Sequence, residues 1–496
     1  MTARTRKYLW IGGGSVAGLL LLLVAGAFVI IQTNSFQQLV RRRIIEAVES
    51  STGGKVDLAE FHFDVRHRRA TLRDFVLHGS ESGNEEPLFR ANAIGVEIKL
   101  LQAIRGVVGI SALDVDQPRV NLIVFPDGRT NIPRPGIPKQ PGDKNQLETL
   151  VDLAVGRFRL NDGNFRFREL SIPFSARGEN LHAELAYEHL VERYRGGVTF
   201  DPLLVQTGEN PALKVTGNLP VVIGKDHIEL LGATLVSPQS RVELTGSIEN
   251  FASPRANVNI QGQIDVPEVA ASLGQPLSTS ASAPRVLTIN LTGDMNDKRL
   301  AVTSAALSLG QSSLAASGEF QNATFENGAL NLRGKFVVNE LVRLLKTAPQ
   351  AAGTLDLAGQ LRVRSRSDYA MDATLTGRGL SYRQGNVRVT GAALTSTILV
   401  DPNLVRVDPL RIDAAGGRIT GRGNLRNWNR YQVSSNLSGF QLQQILASAG
   451  TPGSAWGASI SGRLGAEGEL DGIRLRSART NLSIVPNGRG IPLRGL

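Results

Sequence analysis

The stretch Gly416–Leu425, GGRITGRGNL, places glycine at four of ten positions in a segment that otherwise alternates like a β-strand. Glycine inside a strand costs conformational entropy and offers no side chain to pack, so it marks a bulge, a bend or close backbone approach. The device recurs along the second half of the chain. One pattern, apolar-x-apolar-x-Gly-x-apolar, fits Leu213–Leu219, Val242–Ile248, Val258–Ile264, Ile289–Met295, Leu314–Phe320, Leu330–Phe336 and Leu355–Leu361. Ala458–Leu464 follows it with alanine in first place, and RITGRG is a variant.

Side chains alternate across a strand, so the apolar positions and the glycine share one face while Thr, Asn, Gln, Glu and Lys share the other. The apolar face predicted in this way carries Leu213, Val215, Leu219, Val242, Leu244, Ile248, Val258, Ile260, Ile264, Ile289, Leu291, Leu330, Leu332, Leu355, Leu357 and Leu361. The glycines that thin it are Gly217, Gly246, Gly262, Gly293, Gly318, Gly334, Gly359 and Gly462. Repeated from strand to strand, such gaps let a sheet curl toward its apolar side. Glycine spacings run from 14 residues (Gly377 to Gly391) to 31 (Gly262 to Gly293), which excludes a fixed solenoid period. Three stretches, 265–273, 337–345 and 439–446, read as strand ends running into one or two helical turns, either closing an edge of the sheet or forming ordinary loop helices.

The N-terminus differs. No charge interrupts the 33 residues between Lys7 and Arg41, and Tyr8–Ile31 is almost wholly apolar. Those 24 residues would make a helix of roughly 36 Å, enough for a bilayer core of about 30 Å. The reading is a signal anchor with the bulk of the chain outside the cytoplasm. A cleaved signal peptide is the rival, with Ala25-Gly26-Ala27 as cleavage site, but Phe28–Ile31 prolongs the apolar run past it. Phe36, Leu39, Val40, Ile44 and Val48 then recur at helical spacing. They predict an amphipathic helix over 35–50, lying at the membrane surface or packed on the first strands.

Strand signals take over with KVDLAEFHFD (Lys55–Asp64) and ATLRDFVLHG (Ala70–Gly79), while Pro126–Gln146, with five prolines, reads as a loop. At 496 residues, with 5% aromatics and 53 glycines, the composition suits many short strands. The absence of cysteine excludes disulfides, thiolate metal sites and cysteine nucleophiles. The net charge of +11 is spread without a recognition helix or dense basic tract, which argues against a nucleic-acid partner. All six histidines lie between His62 and His227 without a zinc-binding pattern. No phosphate loop, dinucleotide fingerprint or serine elbow is present. The chain reads as a non-enzyme with no catalytic, cofactor or metal residues.

An apolar sheet face needs a partner layer, closure or a ligand. Sandwiches or a β-helix would bury such faces against one another. A trough would instead hold acyl chains, sparing roughly 0.8 kcal/mol per methylene otherwise exposed to water.

The anchor, then TGGKVDLAEFHFD, ATLRDFVLHG and PRVNLIVFPDGRTNIP, and later AAGGRITGRGNL with YQVSSNLSGFQLQQIL, resemble the AsmA-like and TamB group of bacterial envelope proteins over nearly the whole chain. The resemblance implies a mainly β fold: an N-terminal transmembrane helix followed by an elongated, curled antiparallel β-groove with a few short helices. It implies an inner-membrane, single-pass protein whose bulk lies in the periplasm and which carries phospholipid toward the outer membrane. The TamB branch implies a scaffold role in outer-membrane protein assembly or secretion through an outer-membrane β-barrel partner. The expected organisation is a tip and anchor over 1–34, an amphipathic helix over 35–50, an AsmA-like β region over 51–125, a Pro-rich loop over 126–146 and a repeating β-groove over 147–496. The TamB branch's C-terminal β domain is not identifiable, so the groove is expected to continue past PNGRGIPLRGL in a longer protein.

Overall fold

A computed structural model describes residues 33–99, 109–133, 151, 154–251, 253–275, 277–278, 282–321, 325–344, 350–365, 367–385, 387–450, 457–469 and 474–486. The predicted span Tyr8–Ile31 and most of Pro126–Gln146 lie outside them. Among the described residues, no helix is long and apolar enough to cross a membrane. The protein is mainly β, with twenty-four strands and four helices among the described residues. It divides into two units, Met1–Pro238 and Gln239–Leu496.

The first unit opens with α1 (Asn34–Thr52). Thr33 caps it by accepting the Phe36 N–H at 3.3 Å, and Gly53, at φ +76°, ends it. Ten strands follow: β1 (Lys55–Asp64), β2 (Arg69–His78), β3 (Phe89–Lys99), β4 (Gly109–Asp116), β5 (Arg119–Val124), β6 (Arg157–Glu169), β7 (Phe174–Glu188), β8 (Arg193–Thr207), β9 (Leu213–Ile223) and β10 (His227–Val236). The amphipathic stripe of α1 faces the first strands. Val40, Ile44, Ile45 and Val48 pack on a core of Val56, Leu58, Phe61, Ala70, Leu72 and Phe75. The helix also protects the sheet edge: Arg41 Nε donates to the Leu58 carbonyl at 2.6 Å, and Glu49 Oε1 accepts the Val56 N–H at 2.9 Å. Those are backbone groups that an edge strand otherwise leaves open to pairing. Of the two placements read from sequence for this helix, the structure shows the one on the strands.

The sheet of this unit departs from the antiparallel arrangement read from sequence at one place. β4 and β5 form one interrupted line, broken at Gln117 with φ +48°, and both run parallel to β6. A parallel pair cannot close through a hairpin and needs a crossover of a dozen residues or more. The chain supplies it between Val124 and Arg157, the stretch that contains the Pro-rich excursion. Its described start is a tight turn pinned by the buried Asn131, which donates to the Asn121 carbonyl at 2.8 Å and accepts the Ile123 N–H at 2.9 Å. Its end covers a second patch of sheet: Val151 and Val155 pack with Leu185, Tyr194 and Val221.

The second unit is a plain meander. Its fourteen strands pair in chain order, each antiparallel to the next. They are β11 (Arg241–Glu249), β12 (Arg255–Asp265), β13 (Val286–Met295), β14 (Leu300–Leu309), β15 (Ser312–Phe320), β16 (Gly328–Val337), β17 (Gln350–Ser365), β18 (Asp368–Gln384), β19 (Val387–Asp401), β20 (Leu404–Ala414), β21 (Gly417–Arg426), β22 (Arg430–Gln441), β23 (Ala458–Glu469) and β24 (Arg474–Pro486). Three short helices, α2 (Val266–Ser272), α3 (Val338–Val342) and α4 (Leu442–Ser448), follow β12, β16 and β22. Those strands run in the same direction, so all three helices leave from one rim of the sheet.

The Tyr194 side chain is buried against the crossover, where its hydroxyl accepts the Val155 N–H at 2.9 Å. Replacing Tyr194 by phenylalanine leaves that N–H without its acceptor and should cost about 1–3 kcal/mol in urea unfolding. Burial also raises the hydroxyl pKa above the ordinary 10.0. The folded state therefore keeps a proton that the unfolded chain releases in alkali. This contribution is complete below the unfolded pKa and is lost as pH rises through the folded one. The stability gap between wild type and Tyr194→Phe should narrow as pH rises from the unfolded pKa through the folded one.

Candidate functional site

The pairing register brings the predicted apolar positions of the second unit opposite one another. One row of facing residues runs Leu244, Ile260, Leu291, Ala305, Ala316, Leu332, Gly359, Ala373, Ile398, Val407, Gly423, Val433, Ala466, Ala478. It crosses all fourteen strands without a charged side chain. A second row, two residues along, starts Val242, Gly262, Ile289, Leu307, Leu314, Gly334, Leu357, Leu375. A third starts Gly246, Val258, Gly293, Val302, Gly318, Leu330, Leu361, Met371. Ile248 faces Ala256, Ile264 faces Leu287, and Leu355 faces Phe336 and Gly377, which completes the predicted set in this unit. The opposite face reads Glu243, Gln261, Asn290, Ala306, Ala315, Arg333, Ala358, Thr374 over the same strands. Leu213, Val215 and Leu219 belong to the first unit, on β9, opposite Val205, Leu203 and Val198 of β8.

Burial separates the two units. In the first, Leu58 and Tyr194 are each 1% exposed, under α1 and the crossover respectively. In the second, none of the thirteen predicted lining residues is buried, and Ile248 and Val258 reach 40% and 36% exposure. A sandwich would bury these side chains as completely as Leu58. Here their stems pack on same-face neighbours and their outer surfaces stay open, forming an apolar patch of the kind that marks interaction sites.

The glycines sit beside the largest members of these rows. Gly246 faces Val258, Gly262 lies between Val242 and Ile289, Gly293 between Val258 and Val302, and Gly318 between Val302 and Leu330. Gly334 lies between Leu314 and Leu357, Gly359 between Leu332 and Ala373, and Gly462 between Leu437 and Leu482. In the first unit the Phe200 ring stands over Gly217. Sequence reasoning reads these positions as thinning a face so that it can curl. The structure adds a second reason at Gly262 and Gly293, which is the approach of the neighbouring backbone. A Cβ on Gly262 would lie 2.7 Å from the Arg241 carbonyl oxygen, and one on Gly293 2.8 Å from that of Ala301. At Gly334 the three atoms nearest a Cβ belong to side chains, two of the Phe336 ring at 2.8 Å and Leu314 Cδ1 at 3.4 Å.

The three rim helices fold back on the turn before their own strand pair. Ser240 Oγ accepts the Asp265 N–H at 3.0 Å and donates to Glu268 Oε2 at 2.6 Å, which fixes α2. Ser312 Oγ accepts the Val337 N–H at 2.9 Å and Glu340 Oε2 accepts the Gln311 N–H at 2.8 Å, which fixes α3 in the same way. At α4 the Gln444 side chain lies against Gly416 in the β20–β21 turn. This recurrence is the larger unit that irregular glycine spacing concealed.

Asp413 is held below the ordinary carboxylate value by Arg418 and then Arg411, Asp64 by His67, Asp127 by Arg129 and Glu188 by Arg193, all at the surface. Among the described residues no group of three or more His, Cys, Asp or Glu could hold a metal ion. No family model, no curated protein and no solved structure matches the chain.

Substitutions should separate packing from openness. Gly293→Val drives a branched side chain into a strand backbone and should lower the thermal midpoint, at a cost of about 1–3 kcal/mol. Gly334→Val, which meets movable side chains, should cost less. Leu58→Asp buries a charge and should prevent folding of the first unit, whereas Leu291→Asp keeps its carboxylate hydrated and should cost about 1 kcal/mol.

Proposed function

We propose that the protein is a membrane-anchored conduit for phospholipid, with acyl chains lying along the open apolar face of the second unit. The observation that carries this reading is the uncharged row from Leu244 to Ala478, continuous over fourteen strands and, apart from Ala373, not buried. An acyl chain on such a row exchanges water for Leu, Ile and Val side chains at roughly 0.8 kcal/mol per methylene. The anchor Tyr8–Ile31 would hold the protein in the bacterial inner membrane as a single-pass protein. The β units would then stand in the periplasm, with the face leading toward the outer membrane. Curling of the sheet around its cargo belongs to the same proposal, supported by the glycines opposite Val, Ile and Leu.

A second reading has its own observation. The end strand β24 pairs only with β23 among the described residues, and Leu475, Leu482, Ile484 and Val485 on it are 48–61% exposed. A strand edge without a partner can add a client strand by backbone hydrogen bonding. That suits a scaffold for outer-membrane protein assembly acting with a β-barrel partner.

A photo-crosslinking residue distinguishes the two. At Ile260, Leu291 or Leu332 it should capture phospholipid in living cells, and at Asn259, Asn290 or Asn331 it should not. Protein crosslinks from the first set, with none to lipid, would reject the conduit and favour the scaffold.

A further inference from the structure

The rim that carries α2, α3 and α4 is rich in arginine, and most of it is neutralised locally. Arg241 pairs with Glu243 at 3.0 Å, Arg285 with Asp265 at 3.1 Å, and Arg411 and Arg418 with Asp413 at 3.0 and 2.6 Å. Arg343, Arg383 and Arg388 break this rule. Among the described residues none of the three has a carboxylate partner, and the polar contact of Arg343 is a 3.3 Å bond donated to the Ser282 carbonyl. All three line one cleft of about 490 Å³ beside α3, together with Val342, Tyr382 and Val389. Arg383 and Arg388 face each other directly across the β18–β19 pair. Like charges at opposed positions destabilise a sheet. Tyr382 and Val389 also oppose each other, beyond a register shift from Leu380 and Ala392, on the face opposite the arginine pair by strand alternation, and the cleft at the rim is lined by both pairs.

We infer that this cleft is a binding site for the phosphate group of an anionic lipid, whose acyl chains continue onto the apolar face. The inference rests on the proposed conduit and specifies a headgroup site within it. The guanidinium fork matches phosphate oxygens in pairs, and two such forks stand at opposed positions here. The surrounding charge favours the same ligand class. Residues 378–496 contain fifteen arginines and no lysine against six Asp and Glu. Such a field concentrates anions at the surface. Val342, Tyr382 and Val389 add apolar lining that a free anion does not use, which selects an amphiphile.

The test uses the full chain in a non-ionic detergent and compares three probes by calorimetry: dihexanoyl phosphatidic acid, dihexanoylglycerol with the same chains and no phosphate, and inorganic phosphate. Wild type should bind the phosphatidic acid at least tenfold more tightly than the diacylglycerol, and inorganic phosphate far more weakly than either. Arg383→Gln/Arg388→Gln should abolish the preference and leave diacylglycerol binding unchanged. The single variant Arg383→Gln removes the like-charge opposition, so it should raise the ligand-free thermal midpoint while weakening phosphatidic acid binding. It decides the matter if the double variant does not fold. Equal binding of the two amphiphiles to wild type, or an unaltered preference in the variants, would overturn the site and leave the conduit standing. Inorganic phosphate binding as tightly as phosphatidic acid would overturn the lipid assignment. Failure of wild type to bind either amphiphile would overturn the conduit as well.

Discussion

Register is the constraint on which the second unit depends. A strand that slips by one residue turns its whole apolar set to the other face, and thirteen successive pairings here hold against that slip. Irregularities are absorbed in place. Between Gly377 and Tyr382 the β18–β19 pair shifts register twice, with Gly379 and Gly391 at φ +59° and +67°, and afterwards Tyr382 still faces Val389. A bulge adds a residue to one strand and lets alternation resume beyond it. The rows stay continuous because such insertions are resolved within a strand pair.

The two units treat an apolar sheet face in opposite ways. The first spends separate elements on cover: α1 over β1 and β2, and the Val151–Val155 end of the crossover over Leu185, Tyr194 and Val221. Each large side chain fully buried in this way contributes about 1.5–3 kcal/mol. Among its described residues the second unit has only one- or two-turn helices at a rim, too short to roof fourteen strands. Its order must come from ladder hydrogen bonds and same-face packing between neighbouring strands. That resembles the nearest-neighbour stabilisation of repeat proteins, in which each element is held by the two beside it.

The periods written in a single strand or helix were legible in the sequence. Alternation at Val258, Ile260 and Ile264 gave the face, the spacing of Val40, Ile44 and Val48 gave a helix, and the stretches near 265, 337 and 439 gave the rim helices. The third begins at Leu442, after β22 passes through Gly439 at φ +68°. What stayed hidden was decided between segments. Nothing local to Gly109–Val124 reveals that it lies parallel to β6, because that pairing is made across a crossover. The packing of α1 on the strands was equally silent, since an apolar stripe does not name what it packs on. The glycines were read as gaps in a face, and the approach of the Arg241 and Ala301 carbonyls to Gly262 and Gly293 depends on a neighbouring strand. For the same reason the cleft of Arg343, Arg383 and Arg388 was invisible, with 39 residues between Arg343 and Arg383.

An open row of half-buried side chains suits passage better than capture. Strands lie about 4.8 Å apart, so an acyl chain moving along the row would meet an uncharged surface of Leu, Ile, Val, Ala and Gly over roughly 60 Å. The apolar surface it leaves behind is matched by the surface it meets ahead. Hydrophobic attraction is non-directional, which keeps the differences between successive positions small. On the proposed reading, glycine would serve the same end by lowering the ridges that Val, Ile and Leu otherwise raise across such a path. A directional interaction interrupts that uniformity. On the proposed reading, the unpaired arginines at the rim of β18 and β19 are such an interruption, fixing a charged headgroup while the apolar row stays indifferent to where the chains lie. Passage and a defined resting point can then coexist on one sheet, because dispersion along the rows and charge at the rim act on different parts of the same lipid.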